Sequence, residues 1–260
     1  MIKGIDISSW QEGIVPSKLG IDFCIIKATE GNTYLNPSFH KWIKDCTDHN
    51  ILYGFYHYYN HHCSAKENAY WFWKNVKQYT GKGIAVLDYE EWQGNDASMC
   101  EIFMDEYYKL SKVWPMLYIS ASNCCAFIGS GVPDRCKLWV AGYPRDYATW
   151  PKVTQCPYSV KPWKSFDIWQ FASDWQMSGY VGLLDANVSN LSRKGWMQIA
   201  RGDSSKNEVP EYMPSCLELA QEVLEGKWGN GQERIDRLDG TFGEGTYTHV
   251  QEIVNRLVEG

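Results

Sequence analysis

Apolar runs with strand character recur along the first 190 residues of the chain, near 3–8, 23–29, 53–59, 84–90, 116–121, 138–143, 166–172 and 182–188. Their length and dominance by apolar residues fit strands buried on both faces. Between the early runs lie segments with helical periodicity. Asn36-Pro37 offers an N-cap and a first helical residue for a helix burying Phe39, Trp42, Ile43 and Cys46, while Ser64-x-x-Glu67 and Ser98-x-x-Glu101 read as capping boxes. Strands alternating with helices predict a parallel α/β barrel. The connections after the fifth to seventh strands are short on helical periodicity, so the predicted barrel is irregular, TIM-like in plan with helices missing.

The pattern changes near residue 201. The polar, proline-bearing stretch 201–214 reads as a linker between a barrel domain (1–200) and a small C-terminal domain (215–260). Three short helices are predicted in that tail. Ser215-x-x-Glu218 caps one containing Leu217, Ala220 and Leu224; a second carries Ile235 and Leu238; the third buries Val250, Ile253, Val254 and Leu257. So few residues make a core close to the lower limit for independent folding.

The chemistry of the chain concentrates where the fourth run ends, Ile84-Ala85-Val86-Leu87-Asp88-Tyr89-Glu90. Strand alternation puts Asp88 and Glu90 on one face with their Cα atoms about 6.6 Å apart. Two carboxyls so placed can flank one reacting bond while unequal surroundings push their pKa values apart, the preparation glycoside hydrolysis requires. An isolated D-x-E is more often a helix cap or a solvated loop pair, so the context decides. Asp6 in Lys3-Gly4-Ile5-Asp6-Ile7-Ser8 and Asp185 in Gly182-Leu183-Leu184-Asp185-Ala186-Asn187 are further acids at strand ends, and in a barrel of this kind the active site lies at the carboxyl ends of the strands.

Taken with Lys27-Ala28-Thr29-Glu30-Gly31, Tyr56-His57-Tyr58 and Trp169-Gln170-Phe171, this ordered set resembles the glycoside hydrolase family 25 muramidases, the Chalaropsis-type lysozymes of phages, bacteria and fungi, over roughly residues 1–200. The resemblance implies hydrolysis of the β-1,4 bond between N-acetylmuramic acid and N-acetylglucosamine in bacterial peptidoglycan, without a cofactor or metal. Glu90 is then the expected general acid, its carboxyl raised in pKa by an aromatic cleft and neighbouring acids. Asp88 is expected to stay ionised and support the 2-acetamido group of the substrate, with a direct or water-activating role as the rival account, and Asp6 and Asp185 to tune charge and hold the sugar or the other carboxyls. Tyr56, Tyr118, Trp139 and Trp169 are expected along the groove, and Lys27 with Glu30 as an ion pair at its floor.

In the tail, Leu224-Glu225-Gly226-Lys227-Trp228-Gly229-Asn230-Gly231-Gln232-Glu233-Arg234 and Val250-Gln251-x-Ile253-Val254-Asn255 resemble one copy of the CW_7 cell-wall-binding repeat. That resemblance implies muropeptide contacts from Trp228, Arg234 and Arg237. Gly240-Thr241-Phe242-Gly243-Glu244-Gly245-Thr246-Tyr247 departs from the usual turn of the repeat.

Composition adjusts this picture without redrawing it. Thirteen Trp and seventeen Tyr are unusually many; most read as packing residues, and part of the excess suits stacking on sugar rings. Residues 1–200 hold 19 Lys+Arg against 19 Asp+Glu, and residues 201–260 hold 6 against 12, so the net charge of −6 sits in the tail. No basic footprint for nucleic acid exists. No apolar run approaches a membrane span, and nothing in the sequence sets an oligomeric state. Nine cysteines, an odd number with Cys124 and Cys125 adjacent, read as mostly free thiols rather than a secreted disulfide framework. With the first strand entered at Ile2 no room is left for a signal peptide. The expected setting is therefore an endolysin made in the host cytoplasm that reaches the wall after release.

Two rival functions remain at this stage. His57, His61, His62 and Cys63 suggest a zinc amidase acting on the same polymer, although they lack a persuasively spaced further ligand. A glycan-binding barrel without chemistry is the non-enzymatic alternative, and the retention of all four acids argues against it.

Overall fold

A computed structural model describes residues 1–90, 97–144, 147–202, 216–242 and 246–259. The strands are β1 (Ile2–Ile7), β2 (Phe23–Glu30), β3 (Tyr34–Leu35), β4 (Leu52–Tyr58), β5 (Ile84–Asp88), β6 (Met116–Ser120), β7 (Leu138–Ala141), β8 (Ile168–Trp175) and β9 (Leu184–Ser189). The helices are α1 (Phe39–Asp48), α2 (Ala65–Val76), α3 (Ala97–Ser111), α4 (Val132–Arg135), α5 (Arg193–Arg201), α6 (Cys216–Leu224), α7 (Gln232–Phe242) and α8 (Thr246–Glu259).

Eight strands close a mixed barrel in the order β1-β9-β8-β7-β6-β5-β4-β2, sealed by pairing of β1 with β2, and β3 adds a short ribbon outside β2. All neighbours from β1 through β2 and β4 to β8 run parallel, whereas β9 is antiparallel to both β8 and β1. The carboxyl ends of seven strands therefore open at one mouth.

Period-two alternation sorts the side chains into two cores. Phe23, Ile25, Tyr56, Ile84, Val86, Met116, Tyr118, Trp139 and Ile168 fill the barrel, as expected when eight strands leave a lumen only wide enough for side chains. At its base Gly4 admits the Phe23 ring, which a Cβ at residue 4 would approach to 2.4 Å. Helix α5 plugs this base: Trp196 is fully buried, lies 4.9 Å from the Phe23 ring centre, and donates from Nε1 to the Tyr53 carbonyl at 3.1 Å. Only the opposite end is left for a site. The outward-facing strand residues Ile5, Cys24, Ile26, Phe55, Leu87, Leu117, Val140, Trp169 and Phe171 form the second core with α1, α2 and α3.

Local signals account for several elements. Helix α1 buries Phe39, Trp42, Ile43 and Cys46 as its spacing predicts, but Ser38 occupies the N-cap position while Asn36 Oδ1 accepts from the Ser38 amide at 3.0 Å. The Ser64/Glu67 box closes in both directions at the start of α2. The Ser98/Glu101 box does not form, because Ser98 already lies inside α3 and Glu101 is instead buried against Arg135, 3.0 Å away, on α4.

In the tail, Leu219, Ala220, Val223, Leu238, Val250, Ile253 and Val254 make a separate small core with Trp228 and Tyr247 against it. One expectation fails there: Leu257, expected to be buried, is 47 % exposed, because it falls in the last turn of α8, past the reach of so small a core. Ser215, the side chains of Leu217 and Glu218, nearly all of 201–214, and Gly243 to Gly245 of the unusual turn lie outside the described residues. Among the described residues no helix is long and apolar enough to cross a membrane.

Candidate active site

Three strand ends, those of β1, β5 and β9, bring the four acids together at the open mouth. Asp6 and Asp185 are direct register partners across β1 and β9, so their side chains share a face at close range. Asp88 ends β5 with Tyr58 of β4 on one side and Tyr118 of β6 on the other. Glu90 follows two residues on and is exposed.

A buried amide network grips Asp6. Its Oδ2 accepts from Gln170 Nε2 at 2.9 Å and from Asn187 Nδ2 at 2.7 Å. The amide orientations follow from their other partners. Gln170 Oε1 accepts from the Tyr118 hydroxyl at 2.7 Å and the Tyr143 hydroxyl at 2.6 Å, and Asn187 Oδ1 accepts from the Trp139 indole, which can only donate, at 2.8 Å. The Trp139 indole thus forces Asn187 to present N–H to Asp6, and Gln170 presents its Nε2 there too, an arrangement that suits an ionised carboxylate.

The electrostatics link all four acids. Burial first, and the Asp185 charge next, push the Asp6 carboxyl well above the usual range, while Asn187 and Gln170 oppose the rise. Burial, followed by Glu90, pushes Asp88 well up, with Lys27 opposing. Asp185 is pushed up to about 6 by burial and then Glu90. Asp88 Oδ1 is buried and has no hydrogen-bond partner among the described residues. This corrects the sequence-based expectation that Glu90 is the desolvated carboxyl and Asp88 the readily ionised one: Asp88 inherits the barrel lumen as the last residue of β5, and Glu90 has passed beyond the strand onto the rim.

Lys27 and Glu30 do pair, at 2.7 Å. Residues three apart on a regular strand face opposite ways, but a register shift between Lys27 and Thr29 turns both to one side. The Lys27 ammonium lies 4.4 Å from the Tyr58 ring centre, so cation–π attraction adds to the ion pair and holds the positive charge that opposes the rise at Asp88.

The four predicted groove aromatics separate. Tyr56 and Tyr118 face the lumen near the mouth, and their phenols are pushed well up by burial first, with Asp88 and the other acids adding to the rise. Trp139 also faces inward but is 2 % exposed, and its visible role is to hold Asn187. Trp169 does not reach the groove. It points outward into the second core, is fully buried, and donates to the Gly142 carbonyl at 2.9 Å, because it precedes the inward-facing Gln170 by one residue. Sequence reasoning passed over Gln170, Asn187 and Tyr143 as site residues; the first two were detectable as lone amides in apolar strands.

The histidine cluster offers no metal ligand from its strand member. His57 is fully buried, and its ring nitrogens meet Thr29 Oγ1 and Asn68 Oδ1, both at 2.8 Å. Asn68 spends its amino group on the carbonyls of Asn60, Cys63 and Ser64, so Nε2 of His57 carries the proton and Nδ1 accepts. Burial pushes this histidine down to about 3, which keeps it neutral. Among the described residues no group of three or more His, Cys, Asp or Glu side chains is placed to hold a metal ion.

The tail residues singled out for wall contact have partners within the tail itself. Arg234 donates to the Gly229 carbonyl at 2.9 Å and to Gln251 Oε1 at 3.0 Å, tying the glycine-rich loop to α8. The Arg237 guanidinium lies 5.3 Å from the Trp228 ring centre, and Trp228 Nε1 donates to Glu222 at 2.9 Å.

Comparison with known proteins gives this geometry a context. The family model for glycosyl hydrolases family 25 matches residues 5–180, and that of the CW_7 repeat matches residues 218–258. The N,O-diacetylmuramidase of Chalaropsis sp is 26 % identical over 213 residues, covering 74 % of this chain and 98 % of that protein. The lysozyme of Streptococcus phage Cp-7 is 25 % identical over 254 residues, covering 91 % of this chain and 62 % of that one. Among solved structures, the bacterial lysozyme of Streptomyces coelicolor superposes with a TM-score of 0.66 at 24 % identity, covering 78 % of this chain and 98 % of its own.

Proposed function

The chain belongs to the glycosyl hydrolases of family 25, and from this premise we propose that the acid-ringed mouth cleaves the β-1,4 bond between N-acetylmuramic acid and N-acetylglucosamine. The protein is a peptidoglycan hydrolase of the lysozyme kind. The observation carrying the site assignment is that Asp6, Asp88 and Asp185 are each raised by a neighbouring acid of the same group, Glu90 acting on all three. The open mouth of the barrel thus holds four carboxyls as a single electrostatic unit.

In this reading Glu90 on the rim is the proton donor to the leaving oxygen. A bound glycan excludes water from the mouth and brings Glu90 into the low-dielectric surroundings Asp88 already has, which favours its protonated form. Asp88 Oδ1, left without a partner among the described residues, accepts the N–H of the substrate's 2-acetamido group, turning its carbonyl oxygen toward the anomeric carbon. Asp6, fixed by Gln170 and Asn187, and Asp185 hold the sugar and keep negative charge where the oxocarbenium-like transition state develops positive charge. Tyr56, Tyr118 and Lys27 shape the floor.

The tail (about 215–260) is read as a separate wall-binding module joined through 201–214, with Trp228, Arg234 and Arg237 as its contacts. Its likeness to the CW_7 repeat supports that division. Similarity to the Cp-7 phage lysozyme across nearly the whole chain supports a role in host lysis, with the enzyme made in the host cytoplasm and reaching the wall on release. Mass spectrometry of muropeptides released from purified walls tests the reaction: muramic acid at the new reducing end supports it, and glucosamine ends or free peptide stems overturn it.

A further inference from the structure

Beyond the acids, we propose that Trp10 is a stacking platform for a pyranose ring of the glycan strand, a substrate-positioning residue of the same mouth. The inference rests on the functional reading above. Strand β1 delivers Asp6 to the mouth, and the chain turns at once into a single 3-10 turn, Ser9–Gln11. Four residues of chain confine the Trp10 Cα to within about 14 Å of that of Asp6. At this distance the indole belongs to the rim of the site.

The turn is built to hold Trp10 still. Ser8 Oγ accepts from the Trp10 amide at 3.3 Å, and Gln11 Oε1 accepts from the Ser8 amide at 2.9 Å. Gln11 also donates its backbone N–H to the Ser8 carbonyl at 3.0 Å. Just downstream Ile14 is buried, and its carbonyl accepts from the Trp42 indole at 3.0 Å. The segment is pinned on both sides of Trp10.

Among the described residues no hydrogen bond or ring contact uses the indole. Trp10 is 89 % exposed, while every other described tryptophan is buried or half-buried. Packing accounts for those and leaves this one without a structural role. A large flat apolar face carried on a pinned backbone binds with little further loss of backbone entropy. The C–H face of a pyranose is a surface it can desolvate, while the hydroxyl and acetamido groups at the sugar's edge stay free for the polar residues beyond.

The test measures binding of a soluble β-1,4-linked N-acetylglucosaminyl-N-acetylmuramyl tetrasaccharide to the full chain carrying Glu90→Gln, with and without a change at Trp10. Trp10→Ala is expected to weaken Kd about tenfold, the scale of a truncated tryptophan anchor, and Trp10→Phe to recover most of it. Melting temperature should not move, since the side chain is 89 % exposed. The fluorescence change on titration should diminish in Trp10→Phe. If the parent binds and Trp10→Ala binds within twofold of it, Trp10 is no platform and the functional reading stands. If wild-type protein neither binds nor cleaves the tetrasaccharide, the functional reading falls and takes this inference with it.

Discussion

Asp6 and Gln170 lie 164 residues apart in the chain and meet at 2.9 Å past the intervening strand β9. Gln170 stands between two roles: its Nε2 orients Asp6, and its Oε1 receives the hydroxyls of Tyr118 and Tyr143. Gln170→Ala therefore removes one donor from Asp6 and the common acceptor of two tyrosines. We expect a stability loss of about 1–3 kcal/mol from the stranded hydroxyls and a drop in kcat of about tenfold or more. Gln170→Glu should be worse for activity, since it adds a further carboxylate beside Asp6. Thermal melts with turnover of a soluble oligomer measure both effects.

Asp185 is raised to about 6 from an ordinary 3.8. A carboxyl raised on folding contributes stability below its unfolded pKa, and that contribution is lost as pH rises through the folded value. Asp185→Asn should thus stabilise the protein at pH 7 on the order of 2 kcal/mol relative to wild type, with the advantage vanishing below about pH 4. Activity should fall as stability rises, as in a site whose like charges are held together for function. Urea melts at pH 4 and pH 7 measure the difference.

Lys27 opposes the rise at Asp88. Lys27→Met removes that opposition, so Asp88 ionises at higher pH and the acid limb of the kcat/KM profile should move up by about one unit. Lys27→Arg keeps the charge and should keep the limb near its wild-type position. A pH–rate series on the three proteins decides it.

Much of this architecture was legible in the sequence. All eight barrel strands fall where apolar runs predict them, and the four acids share one mouth because Asp6 and Asp88 lie at or near the carboxyl ends of parallel strands while antiparallel β9 brings in Asp185 from its amino end. Facing was less legible. Trp169 and Gln170 differ by one residue, and a one-residue shift sends a side chain to the opposite face; β8 also has register shifts after Gln170. The Lys27–Glu30 pair depends on a bulge no pattern announces. The failed box at Ser98 shows the limit of local motifs, since Glu101 is claimed by Arg135 from another helix. Burial of Asp88 rather than Glu90 depends on where β5 stops, and strand boundaries are poorly fixed by composition.

The division of labour between barrel and tail has its own test. The tail has a core of its own, although α6 also touches α3. A chain ending after residue 204 should cleave soluble oligomers at more than half the full rate and bind intact walls about tenfold more weakly, measured by sedimentation with insoluble peptidoglycan at moderate ionic strength. A folded but inactive truncation would show that the tail completes the site.

The most direct measurement of the central claim is turnover of purified peptidoglycan by Glu90→Gln, read as release of reducing ends, beside a melting curve showing that the fold persists. With Glu90 as the proton donor, kcat should fall about 10²–10⁴-fold with glycan binding retained. Activity within about threefold of wild type at the optimum pH, far inside that range, would contradict the assignment and move the proton donor to another of the four acids.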